Sequence, residues 1–255
     1  MRKPVIIIGI GEMAGVFARG FLRCGHPVYP ITRGMDLAAA AQQTPEPALV
    51  LVAVGENDLD QTLTQIPEVW RDRLGLLQNE LLPQAWQSHH LTAPTVISVW
   101  FEKKRGQDVK VLISSPVYGP CAQLLAAALG TLAIPCHIVA TADEMLYELV
   151  RKNVYIVATN VAGQEAGGTV SELWHQNETL ARTVANEIIA VQQCLVQQEL
   201  PRNRLIEGML EAFAGDPDHT CMGRSASARL ERAIRQADAA QLAVPSLKRI
   251  AASCL

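Results

Sequence analysis

The chain has no apolar run that approaches the roughly eighteen residues needed to cross a bilayer, so no membrane-spanning helix is expected. Charge is also scarce, at 18% of residues and a net −3. The densest basic cluster is Lys103-Lys104-Arg105, which reads as a hairpin tip, and nucleic acid is not expected as the main partner. Cysteines at 24, 121, 136, 194, 221 and 254 show neither CxxC nor Cys/His ligand spacing, and His89-His90 lies in a polar linker without an acidic or cysteine neighbour. No metal site is therefore expected. The basic pair Arg2-Lys3 precedes an apolar run, but that run breaks at Gly9-x-Gly11 and reads as a buried strand, not a signal peptide. Reduced thiols and cytoplasmic residence are the resulting expectations. With 49% apolar residues in 255, the chain can build one large domain or two moderate ones, and no long disordered stretch is expected.

What is present begins at the fifth residue. Val5-Ile6-Ile7-Ile8 runs into Gly9-Ile10-Gly11-Glu12-Met13-Ala14, and a second extended run, Val28–Thr32, follows an amphipathic stretch. This is the pattern of a dinucleotide-binding βαβ unit. Gly9 allows the tight turn, Gly11 lets the backbone approach a pyrophosphate, and Ala14 is small enough for the helix to pack on the strand. The phosphates would lie over free N–H groups at the helix N-terminus. The second strand ends in Thr32-Arg33, and the first acid, Asp36, comes later. An acid at the strand end would select NAD, whereas a guanidinium pairs with a 2′-phosphate. The site therefore reads as NADP(H)-binding with Arg33 as the clamp; the rival reading is a solvated surface arginine. Ile10, Glu12, Met13 and Thr32 complete the cofactor loop, and Val54-Gly55 follows the third strand.

Up to about residue 140 strands alternate with helices. Ala48–Val54 is a continuous apolar strand, Leu59–Ile66 a helix, Leu74–Gln78 a strand, and Leu81–Gln87 a helix. Thr95–Phe101 and Val109–Ser114 predict a hairpin that adds antiparallel strands to the sheet, and Cys121–Leu129 predicts a helix before a last strand at Ile134–Ala140. Beyond Thr141 the spacing is helical over 143–162, 171–199, 201–213 and 224–240, with a short helix from Pro245. The expected fold is α/β: a Rossmann-type dinucleotide-binding domain, residues 1–141, followed by an all-α domain, residues 142–255, for substrate and dimerisation. Long helices such as 171–199 could pair across a two-fold axis in a homodimer.

Three side chains are candidates for chemistry on a small-molecule substrate. Asn79 follows the strand Leu74–Gln78, where its amide could reach nicotinamide or substrate. Lys152 and Asn160 are eight residues apart on one predicted helix, two turns and roughly one face. A lysine set against a low-dielectric cleft can act as a general acid. The rival readings are a turn asparagine, a charged helix face shared with Arg151, and a C-terminal helix cap. Trp86 and Trp174 read as core. Cys221 reads as structural, with only His219 nearby as a partner.

Together these features resemble the ketopantoate reductase (2-dehydropantoate 2-reductase) family of the 6-phosphogluconate-dehydrogenase-like superfamily. The resemblance runs through the glycine motif with its basic residue after the second strand, Gln78-Asn79, Ile134-Pro135 with Ala142-Asp143, Arg151-Lys152 through Asn160, and Gly223-Arg224 with Leu242-Ala243-Val244-Pro245. It implies NADPH-dependent reduction of a 2-oxo acid such as ketopantoate, with Lys152 protonating the developing alkoxide and Asn79 and Asn160 contacting substrate. The chain departs from the family where Ile156 replaces an asparagine and where Ser225-Ala226-Ser227-Ala228 replaces a Thr-Glu pair; Glu231, about one turn on, is the acid that could substitute. The serine-rich substrate loop corresponds loosely to Asp218–Met222. Two alternatives stay open: an NADP(H)-binding regulatory or redox-sensing protein without catalysis, and a superfamily reductase acting on an imine or a hydroxy acid.

Overall fold

A computed structural model describes residues 2–253, and Cys254 lies outside them. The chain divides into two compact units, Met1–Leu149 and Val150–Leu255.

The first unit is built on β1 (Val5–Ile8), β2 (Val28–Ile31), β3 (Leu49–Val52), β4 (Leu74–Leu76) and β5 (Thr95–Ile97), with α1 (Glu12–Arg23), α2 (Leu37–Gln43), α3 (Leu59–Thr64) and a single turn α4 (Gln84–Gln87) between them. After the hairpin β6 (Phe101–Glu102) and β7 (Lys110–Val111) come β8 (Ser115–Tyr118), α5 (Ala122–Gly130) and β9 (Cys136–Ile138). The sheet order is β2-β1-β3-β4-β5-β8-β9. The first five strands are parallel, β8 is antiparallel to β5, and β9 runs parallel to β8.

Strand periodicity explains why the strands read as unbroken apolar runs. Val5 and Ile7 join Phe17, Phe21, Leu125 and Leu129 on one face, while Ile6 and Ile8 join Leu63, Trp70, Met145 and Leu149 on the other. Met145 and Leu149 belong to α6 (Ala142–Ala166), so the first two turns of that helix count with the sheet. Thr141 and Glu144 cap it reciprocally, through Glu144 N–H to Thr141 Oγ1 and Glu144 Oε2 to the N–H groups of Ala140 and Thr141.

Two expectations need correcting. Thr95–Phe101 is not one strand: the chain leaves the sheet after Ile97, the Trp100 N–H donates to the Ser115 hydroxyl at 2.9 Å, and Phe101 packs 6.1 Å from Phe17. The hairpin β6–β7 is thus a separate two-stranded ribbon, and the antiparallel strand of the main sheet is β8. Pro116 disguised β8, since proline is unexpected inside a sheet; its carbonyl still accepts the Ser98 N–H at 3.0 Å. The other correction is the predicted helix 81–87, which shortens to α4: Leu81 and Leu82 are buried as loop residues, Leu81 in the cluster on one face of the sheet.

The second unit holds the remainder of α6 with α7 (Val170–Val196), α8 (Arg202–Gly215), α9 (Ala226–Ala239) and α10 (Pro245–Ser253). α7 is the hub, packing on α8, α9 and α10. It is capped reciprocally by Thr169 and Glu172 and kinks at Asn177. Arg182 stacks over the ring of Trp174, which lies partly buried on the same helix. Glu187 accepts the N–H groups of Ser246 and Leu247 and so ties α10 to α7. No helix among the described residues is long and apolar enough to cross a membrane.

α1 and α5 approach closely at Gly20, where a Cβ would stand 2.5 Å from the carbonyl oxygen of Ala128. Gly20→Ala should force the helices apart at a cost of about 1–3 kcal/mol and lower the thermal unfolding midpoint by roughly 3–10 °C, measured by circular dichroism.

Candidate functional site

The strand order of the first unit reverses between β1 and β3, and in open α/β sheets ligands bind at such a point, beyond the carboxyl ends of the strands. There the chain makes its glycine turn. Gly9 has φ +92°, and a Cβ on it would stand 2.9 Å from the carbonyl oxygen of Ala53. Its N–H donates to Ile31 O at 2.9 Å, and Ala53 N–H donates to Ile8 O at 2.8 Å. Gly9 is thus required by the protein itself. Gly11 is different: a Cβ there would meet nothing within 4 Å. Gly11 is also the N-cap of α1 and supplies no side-chain acceptor. The N–H groups of Glu12, Met13 and Ala14 therefore lie at a helix N-terminus with no cap and with open space beside them. That arrangement fits a bound pyrophosphate.

A cleft of about 700 Å³ adjoins the turn, walled by the ends of β1, β2 and β3 and by the segment after β3. Thr32, Arg33, Val54 and Gly55, all expected in the cofactor site, line it together with Gly9, Ile10 and Gly11. Ile10 is 58% exposed and Met35, also in the lining, 49%. Two large apolar side chains left open at a cleft mouth suit a flat aromatic ligand. Asp36 does not face the cleft as a ligand group; its carboxylate caps α2 by accepting the N–H groups of Ala38 and Ala39. The Arg33 guanidinium pairs with Asp58 at 3.0 Å. On the other side of α1, Lys103 of the hairpin reaches Glu12 at 3.2 Å and neutralises the one carboxylate in the helix's first turn.

Asn79 lies in the turn after β4, and Glu80 beside it adopts a left-handed conformation at φ 55°. What holds this turn in place is a residue to which the sequence reading gave no role of its own. Gln78 is 6% exposed. Its amide donates to Val52 O at 2.7 Å and Val54 O at 3.3 Å and accepts the Leu77 N–H at 3.1 Å. It therefore joins the outgoing ends of β3 and β4, where Gly55 and Asn79 follow. A glutamine closing an apolar strand run is the available signal, since buried amides are retained where they satisfy backbone groups.

In the second unit, Lys152 is partly buried on α6 and Asn160 is 9% exposed two turns on. Asn160 does not cap a helix end, because α6 continues to Ala166. Its amide donates to Cys221 O at 3.4 Å, and its oxygen accepts from Arg229 at 3.1 Å, which ties α6 to the 216–223 segment and to α9. Ile156 is buried at 9% exposure. Glu231 is exposed on α9 and lies 3.8 Å from Arg235. Cys221 is fully buried against Gly163, and burial, then the nearby Glu172 charge, pushes its thiol up to about 11. It is no nucleophile at neutral pH. His89, read as lacking an acidic neighbour, bonds Asp60 at 2.9 Å through a contact between distant positions.

Neither family sequence models nor curated protein sequences match the chain. Solved structures do. The 2-dehydropantoate 2-reductase from Methylococcus capsulatus superposes with a TM-score of 0.70 at 15% identity, covering 98% of this chain and 95% of the other. The dimeric ketopantoate reductase from Staphylococcus aureus gives 0.63 at 15% identity, covering 98% of each. A D-mandelate dehydrogenase in complex with NADH gives 0.66 at 16% identity, covering 97% and 96%. The chain has the ketopantoate reductase fold. Within that fold the glycine turn and the Arg33 cleft come together in the first unit, and Lys152 and Asn160 share one helix of the second.

The two motif glycines should separate in experiment. Gly11→Ala should leave the unfolding midpoint within about 2 °C of wild type, because its Cβ meets no protein atom, yet weaken dinucleotide affinity at least about tenfold. Gly9→Ala should destabilise the fold by about 1–3 kcal/mol whether or not a ligand is present. Thermal melts and calorimetric titration with NADPH check both.

Proposed function

We propose that the protein is a divergent member of the ketopantoate reductase family that uses NADPH to reduce a small 2-oxo acid, ketopantoate or a close relative. The observation that carries this reading is the uncapped N-terminus of α1, with open space at Gly11, beside a cleft that presents Arg33. Residues 1–141 hold the dinucleotide: the α1 N–H groups take the pyrophosphate, Arg33 takes the 2′-phosphate, and Val54, Gly55 and Asn79 follow the strand ends. When bound, the nicotinamide supplies hydride to the substrate carbonyl carbon. Lys152, partly buried on α6, gives a proton to the carbonyl oxygen. Asn79 and Asn160 orient the substrate. Residues 142–255 provide the substrate-facing helices and a homodimer contact, with cytoplasmic residence as the matching location.

A specific observation favours one competing reading, a dinucleotide-binding sensor without turnover. The Asn160 amide is engaged by Cys221 O and Arg229, and Ile156 presents an apolar side chain where the family has a polar one.

The test is oxidation of NADPH, followed by its absorbance, with ketopantoate and a panel of small 2-oxo acids. We expect turnover with at least one of them, and Lys152→Ala should lower kcat about 10²–10⁴-fold with NADPH affinity unchanged. NADPH binding with no turnover on any panel member would favour the sensor.

A further inference from the structure

The 700 Å³ cleft has two charged residues in its lining, Arg33 and Asp58, and the polar side chains beside them, Thr32, Gln61, Thr62 and Gln65, are neutral. Any discrimination between a 2′-phosphate and a 2′-hydroxyl there falls on that pair. Arg33 is 94% exposed, and Asp58, 49% exposed, is its charge partner at 3.0 Å. The acid that follows the second strand in sequence, Asp36, caps α2 through Oδ1 and does not line the cleft.

Asp58 is held in place by backbone. It ends a 3-10 turn, Glu56–Asp58, in which its N–H donates to Gly55 O at 3.0 Å. Its own carbonyl accepts the Thr62 hydroxyl at 2.7 Å. A Cβ on Gly55 would lie 3.9 Å from the Asp58 carboxylate, so that carboxylate leans back over the glycine that lines the cleft. The acid comes from the turn after β3 and reaches the arginine after β2.

We infer that Asp58 is a second reader of the cofactor ribose, opposing Arg33, so that the site accepts NADH as well as NADPH and the ion pair sets the ratio. This rests on the proposal that the cleft binds a nicotinamide dinucleotide. The 2′-phosphate of NADPH takes the Arg33 guanidinium through charge-assisted hydrogen bonds, but it must do so beside a carboxylate already held 3.0 Å from that guanidinium. Like charges at such range oppose binding. The 2′-hydroxyl of NADH instead donates to the Asp58 carboxylate and leaves the ion pair in place. Arg33 thus favours NADPH, and Asp58 restrains that preference.

The test is direct binding of NADPH and NADH, by calorimetry or by the fluorescence of the reduced nicotinamide, to wild type, Asp58→Asn and Arg33→Gln. Thermal melts confirm that each variant is folded, and Asp58→Ser stands in if the asparagine variant is not. We expect wild type to bind both dinucleotides with Kd values within about tenfold of each other. Asp58→Asn should shift the Kd ratio at least about fivefold toward NADPH, and Arg33→Gln should shift it at least about fivefold toward NADH. If Asp58→Asn leaves the ratio within about twofold, or moves both affinities equally, the inference is overturned while the cofactor assignment stands. If wild type binds neither dinucleotide, the cofactor assignment itself fails and the inference with it.

Discussion

The close backbone approach at Gly9 is the constraint on which the first unit depends. At this residue three strands end together: Gly9 N–H bonds Ile31 O at the end of β2, and Ala53 N–H, after β3, bonds Ile8 O at the end of β1. The positive φ turns the chain into α1, and the missing side chain lets the Ala53 carbonyl sit where a Cβ would be. Because these contacts are backbone to backbone, they do not relax by rotamer change, and the carboxyl ends of β1, β2 and β3 meet at one place. The cleft lies at that place for the same reason.

Other features of this unit extend the constraint. Gln78 carries it one strand further by bonding Val52 and Val54 carbonyls from the end of β4, so the Val54-Gly55 and Asn79 segments leave the sheet at a set spacing. A buried amide bonded on both its oxygen and its nitrogen contributes about 1 kcal/mol net, but removing it strands carbonyls that then cost more. Gly20 does the equivalent work beneath the sheet by admitting α5 against α1.

The second unit follows another logic. Its central helices thread polar side chains through an apolar bundle and pair several of them internally, as in Asn153 to Gln192 at 2.9 Å and Arg151 to Gly208 O at 3.1 Å and Glu211 at 2.7 Å. Glycines make room for these arrangements: Gly208 lies under Arg151, and Gly163 under Cys221. Asn160 belongs to the same network. Polarity on α6 is therefore partly architectural, which is why helix periodicity alone does not say which of its polar residues face a substrate.

Much of this was legible in the chain itself. The β-branched run ending in Gly-x-Gly, the placement of Arg33 after the second strand, and the shift from alternating to helical spacing near residue 141 follow from local periodicity, and periodicity is what one dimension records. Thr141–Glu144 and Thr169–Glu172 even carry their reciprocal caps in the spelling. Tertiary structure decided the rest. It placed Pro116 inside the sheet, moved Phe101 out of it, and brought Asp58 to Arg33 across twenty-five positions. Each of these turns on a contact between residues distant in sequence. No pattern of nearby residues encodes such a contact, because it depends on where separate strands end and not on what precedes or follows them along the chain.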